Sequence, residues 1–190
     1  MVLKHKDIPK VDVVAHSQGC INAVIAALEE PDKIRNLVLV NPAGLMGADT
    51  VFALALRSAK SNLQEQAKLK RHKWAHARAT PGMHESDLNV TKHPAKAYLA
   101  SALGISRTNI KEALGLLGEL GVGISIIHTT EDETFPLQDV EKTIKDSEVD
   151  GFYIIPGSHN EVLYYPENVA PTIIKALRTL EARSNIKKER

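Results

Sequence analysis

Three side chains stand where a nucleophile, an acid and a base would have to stand. Ser17 lies in Val11-Asp12-Val13-Val14-Ala15-His16-Ser17-Gln18-Gly19-Cys20, an apolar strand pattern running into a turn with serine at its apex. An unassisted hydroxyl is a weak nucleophile, but a sharp strand-to-helix turn lifts its Oγ to where a base can reach the proton. Asp132 follows the apolar run Gly123-Ile124-Ser125-Ile126-Ile127-His128, in a loop closed by Phe135-Pro136. His159 follows a shorter run, Gly151 to Ile155, in Pro156-Gly157-Ser158-His159-Asn160. Such a set can attack an acyl carbon: histidine takes the serine proton while the carboxylate fixes the imidazole tautomer. The competing use of Ser17 is to cap the helix that begins at Gln18, a common role for serine.

Elements must position these groups. Val11 to Ala15 reads as a strand buried on both faces, and Ile21, Val24, Ile25 and Leu28 recur at helical spacing over Gln18–Glu30. The small residues Ala15 and Gly19 flank the serine, as a crowded turn would require. Ile34 to Val40 is the next strand, ending at Asn41. The pattern over Thr50 to Ala79 is helical, with Phe52, Leu56, Leu63 and Ala67 on one face, and Pro94 to Leu103 is a shorter helix. Further helices span Asn109–Leu120, Leu137–Lys145 and Pro166–Ala182, with a frayed, charged tail from Asn185. Serine, acid and histidine each follow a strand, and open parallel sheets place their sites at the C-terminal strand ends.

Through Ala15-His16-Ser17-Gln18-Gly19, Asp132 with Phe135-Pro136, and Gly157-Ser158-His159-Asn160, the sequence resembles the α/β-hydrolase family. The likeness runs from Val11 nearly to Arg183. It departs from the usual Gly-x-Ser-x-Gly pattern at Ala15, by one methyl group. The resemblance implies an α/β fold of parallel strands with flanking helices and an inserted helical cap. It assigns core to residues 1–48, cap to 49–113 and core again to 114–190. It also implies a serine hydrolase acting on a carboxylic ester or related acyl substrate, with no cofactor. Ser17 would be its nucleophile, Asp132 its acid and His159 its base, with the Gln18 N–H in the oxyanion hole. Phe52 and Leu56 are expected to touch substrate, as is His16 unless it only packs at the elbow, and removing the cap is expected to change substrate choice more than chemistry.

Family members carry four strands before the nucleophile strand, and a second oxyanion donor on the loop after the third. Neither is found ahead of Val11, so the chain reads as the C-terminal portion of the fold, truncated at its N-terminus. On that reading it is a sluggish catalyst, and the open edge of the Val11 strand invites self-association. The alternative is an incompetent remnant, or a non-catalytic binding module of the same fold.

Composition narrows the remaining classes. A formal net charge of +1 and 4% aromatic residues argue against a nucleic-acid surface, while 43% hydrophobic residues suffice for a core. Cys20 is the only cysteine, so no internal disulfide can form, and it reads as a small apolar packing residue. No run spans a membrane and no signal peptide is visible, which leaves cytoplasmic as the default. Lys68, Lys70, Arg71, Lys73 and Arg78 around Trp74 read as a solvated helix face. His72 and His76 have metal-ligand spacing, but lysine stands at position 73 where a zinc hydrolase needs glutamate, so no metal is expected. His128 is a rival base, though it shares the acid's strand. Glu131 and Glu133 are rival acids, expected to face solvent.

Overall fold

A computed structural model of the chain describes residues 8–46, 50–71, 102–145 and 147–188. Four strands form one parallel sheet in the order β1 (Val11–His16), β2 (Ile34–Val40), β3 (Gly123–Glu131) and β4 (Gly151–Ser158). Helix α1 (Gln18–Glu29) and a 3₁₀ turn at Pro31–Lys33 connect β1 to β2. Between β2 and β3 come α2 (Val51–Arg71), a short helix α3 over residues 102–107, and α4 (Lys111–Glu119). Helix α5 (Leu137–Ile144) joins β3 to β4, and α6 (Glu161–Tyr164) and α7 (Pro166–Lys188) follow.

Helices on both faces explain why most of β2 and β3 is buried continuously rather than in alternation. Leu37, Leu39, Ile124 and Ile126 point to one face, where Cys20, Ile21 and Val24 of α1 and Leu114 and Leu117 of α4 cover them. Val38, Val40 and Ile127 point to the other, beneath Val169, Ala176 and Leu180 of α7. Each fully buried Leu or Ile contributes roughly 1.5–3 kcal/mol. β1 differs: it pairs with β2 from Val11 to His16, and among the described residues no strand covers its other edge. Its residues are half-buried and Val14 is 46% exposed, so the expectation of a strand buried on both faces is corrected here.

Other boundaries differ where packing overrides local pattern. β3 and β4 run about three residues past their apolar runs, to Glu131 and Ser158, because parallel pairing continues to Glu131 opposite Ser158. The last helix continues to Lys188 rather than fraying at Asn185. Helix α2 starts at Val51, close to where the periodicity predicts, but its buried stripe is Leu54, Ser61 and Glu65. Phe52, Leu56 and Leu63 lie on the outward stripe, exposed by 79%, 62% and 70%. Residues 72–101 lie outside the described residues, and with them His72, Lys73, Trp74, His76, Arg78 and most of the helix expected over Pro94–Leu103. Of the described residues, no helix is long and apolar enough to cross a membrane, and no three metal-ligating side chains gather.

Candidate active site

Four loops leave the C-terminal ends of the four strands and meet. The first is the turn at Ser17, whose φ of +53° and ψ of −126° are rare for a residue with a side chain. Backbone bonds lock it there: the Ser17 N–H donates to the Val40 carbonyl at 3.0 Å, and the Ser17 carbonyl accepts from Cys20 and Ala43. Ser17 sits at the N-cap of α1, yet its hydroxyl makes no capping bond. That sets aside the capping role. Its Oγ lies instead 2.9 Å from His159 Nε2.

The opening N–H groups of α1, beginning with Gln18, have no carbonyl within the helix to bind, and the helix dipole adds partial positive charge there. At Gly19 the crowding expected from the motif is not observed. A Cβ built there would meet nothing within 4 Å among the described residues.

The acid loop follows β3. Asp132 is 4% exposed, and its Oδ1 accepts the Thr134 and Phe135 N–H groups, each at 2.9 Å. Those two bonds leave Oδ2 for His159, whose Nδ1–H donates to it at 2.7 Å. His159 therefore carries its proton on Nδ1 and turns a bare Nε2 toward Ser17. Phe135 packs edge-on against the imidazole, with ring centroids 5.2 Å apart.

The rival groups fall elsewhere. His128 is fully buried, donates from Nε2 to the Phe135 carbonyl at 2.9 Å, and lies 3.9 Å from Asp132 Oδ2. Its Nδ1 finds no partner among the described residues, and burial holds its pKa down, so it stays neutral. Glu131 is exposed, and Glu133 is half-buried and pairs with Lys60 at 2.8 Å.

The histidine loop is held from several sides. Gly157 adopts φ +136°, and a Cβ there would meet Glu161 Cγ at 2.6 Å, so only glycine fits. Glu161 in turn accepts the Ser158 N–H at 3.3 Å and an Asn168 Nδ2–H at 2.7 Å. The His159 carbonyl accepts twice, from Asn41 Nδ2 and from His16 Nε2, both at 2.8 Å. Asn41, wholly buried at φ +44°, also accepts the Thr129 N–H at 2.9 Å. Thr129 Oγ1 lies 3.0 Å from the Ser158 carbonyl and 3.2 Å from Asn41 Oδ1, with one proton to share between them.

His16 is not among the residues that wall the cavity at Ser17. It braces the backbone of His159, its ring 5.1 Å from the His159 ring, and burial first and the neighbouring His159 second push its pKa down to about 4.

A cavity of about 180 Å³ opens at Ser17 and His159, walled by Leu54, Ser58, Asn62, Ala102, Ile105 and Phe135. Phe52 and Leu56 are not part of it, because α2 turns its Leu54–Ser58–Asn62 side to the serine. A larger cavity of about 490 Å³ lies at the opposite sheet end beside Lys10, Asn36 and Gly123. It is far from the strand ends that gather the reactive groups, and its arginines are engaged, Arg35 with Asp12 and Arg183 with Asp150.

Comparison with known proteins agrees with this geometry. A family model described as the alpha/beta hydrolase fold matches residues 1–163. The chain belongs to the α/β-hydrolase family. No curated protein matches the sequence.

Several solved structures share the fold. An esterase from Thermogutta terrifontis superposes at TM-score 0.60 and 19% identity, over 94% of this chain and 69% of that one. A bromoperoxidase from Bacillus anthracis gives TM-score 0.64 at 15% identity, over 93% and 70%. A structure from a study of carboxylesterases of Nitrososphaera gargenis gives 0.59 at 16%, over 96% and 70%. At such identities the likeness concerns the fold, and this hydrolase-fold chain spans about 69% of the first neighbour's length.

Of the residues expected from sequence, the structure brings Ser17 and Asp132 each into hydrogen-bond contact with His159. Sequence reasoning misses Asn41 as a brace, and it misses Glu65, Thr129 and Glu161 altogether. Asn41 carries one signal: it ends a strand at the edge that holds the other loops. The other three carry none that a single sequence displays.

Proposed function

We propose that the chain is a serine hydrolase of carboxylic esters or related acyl compounds, with Ser17, His159 and Asp132 as its catalytic triad. The observation that carries the reading is the strained Ser17, whose hydroxyl gives up capping to lie 2.9 Å from a bare His159 Nε2. In the reaction His159 takes the Ser17 proton as Oγ bonds to the substrate carbonyl carbon. The carbonyl oxygen becomes an oxyanion, received by the Gln18 N–H at the positive end of α1. As the carbonyl re-forms, His159 returns the proton to the departing alcohol. Water then repeats the sequence on the acyl-enzyme and frees the acid. Asp132 keeps the imidazole in one tautomer throughout and accepts no proton itself.

The small cavity, apolar at Leu54, Ala102 and Ile105 and polar at Ser58 and Asn62, suits a short acyl or alcohol group. Residues 49–113 are taken as its cap, of which α2 and α3 supply Leu54, Ser58, Asn62, Ala102 and Ile105 to the wall. A fluorophosphonate probe, which needs an activated serine, is the direct test. Labelling of the parent and none of Ser17→Ala supports the proposal. Equal labelling of both, or none of either, overturns it, the latter favouring a binding module. Fold neighbours called bromoperoxidases make peracid formation from acetate and peroxide a useful second assay.

A further inference from the structure

Glu65 is a carboxylate on α2 with no part in the chemistry just described, yet it is only 4% exposed. Burying a charge is costly unless its oxygens are satisfied. Both are satisfied by one residue: Oε1 accepts the Asn160 N–H at 3.0 Å and Oε2 accepts an Asn160 Nδ2–H at 2.6 Å. Asn160 is the residue after His159. The same helix reaches the acid loop as well, with Arg57 Nε donating to the Thr134 carbonyl at 3.1 Å and Lys60 paired to Glu133. Helix α2 therefore touches both loops whose side chains must meet. Lys60–Glu133 is an exposed pair and contributes little. Glu65 is the buried contact, two charge-assisted bonds made to one residue.

Resting on the serine-hydrolase reading, we infer that Glu65 is a positioning residue, clamping Asn160 so that the His159 ring stays aligned between Asp132 and Ser17. Asn41 and His16 hold the carbonyl of the His159–Asn160 peptide, and Glu65 takes the N–H on the opposite edge of that same peptide together with the Asn160 side chain. The peptide plane that follows His159 is thereby gripped from both edges. Helix α2 is then part of the support for chemistry as well as a wall of the substrate cavity. Its loss lowers turnover on every substrate, in contrast to a cap that acts on selectivity alone.

The pairing allows a test by exchange of hydrogen-bond roles. Asn160→Asp sets two carboxylates against each other. Adding Glu65→Gln restores complementarity: the Gln amide donates to the Asp carboxylate, and its carbonyl accepts the backbone N–H. Glu65→Gln alone is accommodated, because the Asn160 amide can turn over and accept from the Gln NH2 group. On a p-nitrophenyl ester, N160D should lower kcat about 10–100-fold and change KM less than about threefold. E65Q and E65Q/N160D should both stay within about fivefold of the parent.

A second readout is independent of turnover. The hydrogen-bonded Nδ1 proton of His159 should give a low-field NMR resonance in the parent, which is lost to exchange in N160D and regained in the double variant. If the parent lacks esterase activity, the serine-hydrolase reading fails while this resonance still decides the clamp. An N160D resonance and kcat like the parent's, or a double variant no better than N160D, overturns the inference. If N160D does not fold, a folded double variant with its resonance restored supports it, and a double variant equally unfolded overturns it.

Discussion

The turn at Ser17 and the loop at His159 deliver the two atoms that meet at 2.9 Å, but they are built in opposite ways. The serine turn is held by backbone groups alone: Ser17 bonds to Val40, Cys20 and Ala43, and α1 continues straight from it. The histidine loop is held by side chains, Asn41, His16 and Glu65 from far along the chain and Glu161 from three residues on, each binding one of its backbone groups. A turn held by backbone tolerates side-chain changes elsewhere in the chain. A loop held by side chains transmits such changes to the base.

The sharpest way to break that contrast is at the contact between acid and base. Asp132→Asn keeps an Oδ1 for Thr134 and Phe135, so the acid loop should keep its shape. Its Nδ2 would then face His159 Nδ1 and force the wrong tautomer, with kcat falling about 10⁴-fold. Unchanged thermal midpoint with collapsed turnover is the expected pair of readings.

Gly157→Ala attacks the histidine side sterically. With φ at +136° and Glu161 Cγ 2.6 Å from the new Cβ, the loop must shift, costing about 1–3 kcal/mol. Denaturant midpoints should show that loss, and turnover should fall with it. Gly19→Ala, with open space around it, should cost well under half as much by the same measurement. Equal losses at the two glycines would erase the distinction between the turn and the loop.

How much of this the sequence displays follows the same division. The strand, turn and helix at Ser17 are legible because periodicity and small residues are local signals, and β2 is legible to the residue for the same reason. The loops of Asp132 and His159 are legible as short motifs at strand ends. The braces are not, because a buried Glu65 and an exposed glutamate look alike until Asn160, at a separation of 95 residues, is brought beside it. The pattern of helix α2 misleads for a related cause. Its apolar residues Phe52, Leu56 and Leu63 face outward, while polar Ser61 and Glu65 are buried beside Leu54, which runs against the usual inference from amphipathicity. β1 misleads because burial depends on neighbouring strands as much as on its own composition.

His16 offers a gentler probe, through pH. In the folded chain it protonates near pH 4, and in the unfolded chain near 6.5. Between those values the unfolded state binds more protons, so the stability present above pH 6.5 is lost as the pH falls toward 4. The loss should reach about 3 kcal/mol. His16→Gln retains a donor for the His159 carbonyl and does not titrate, so its stability should fall less over that window. Parallel acid limbs for the two proteins would mean that His16 is not what titrates.

The smallest effect is expected at β1, whose outer edge pairs with no strand among the described residues. If that edge self-associates as expected from the sequence, Val14→Lys should oppose it by putting a charge on the exposed face of that strand. Sedimentation should show less oligomer in the variant, with the thermal midpoint moved by no more than about 0.5 kcal/mol equivalent.

Cys20 lies beneath the serine turn, wholly buried, its Sγ 3.7 Å from the Val40 carbonyl. Burial pushes its thiol pKa well up, so the folded state offers almost no thiolate to a reagent. As the only cysteine in the chain, it is a native reporter of breathing at one place. A disulfide reagent can modify it only in molecules whose α1 has lifted from the sheet. The rate of that modification, set against the rate for the unfolded chain, measures how often the serine's own platform opens.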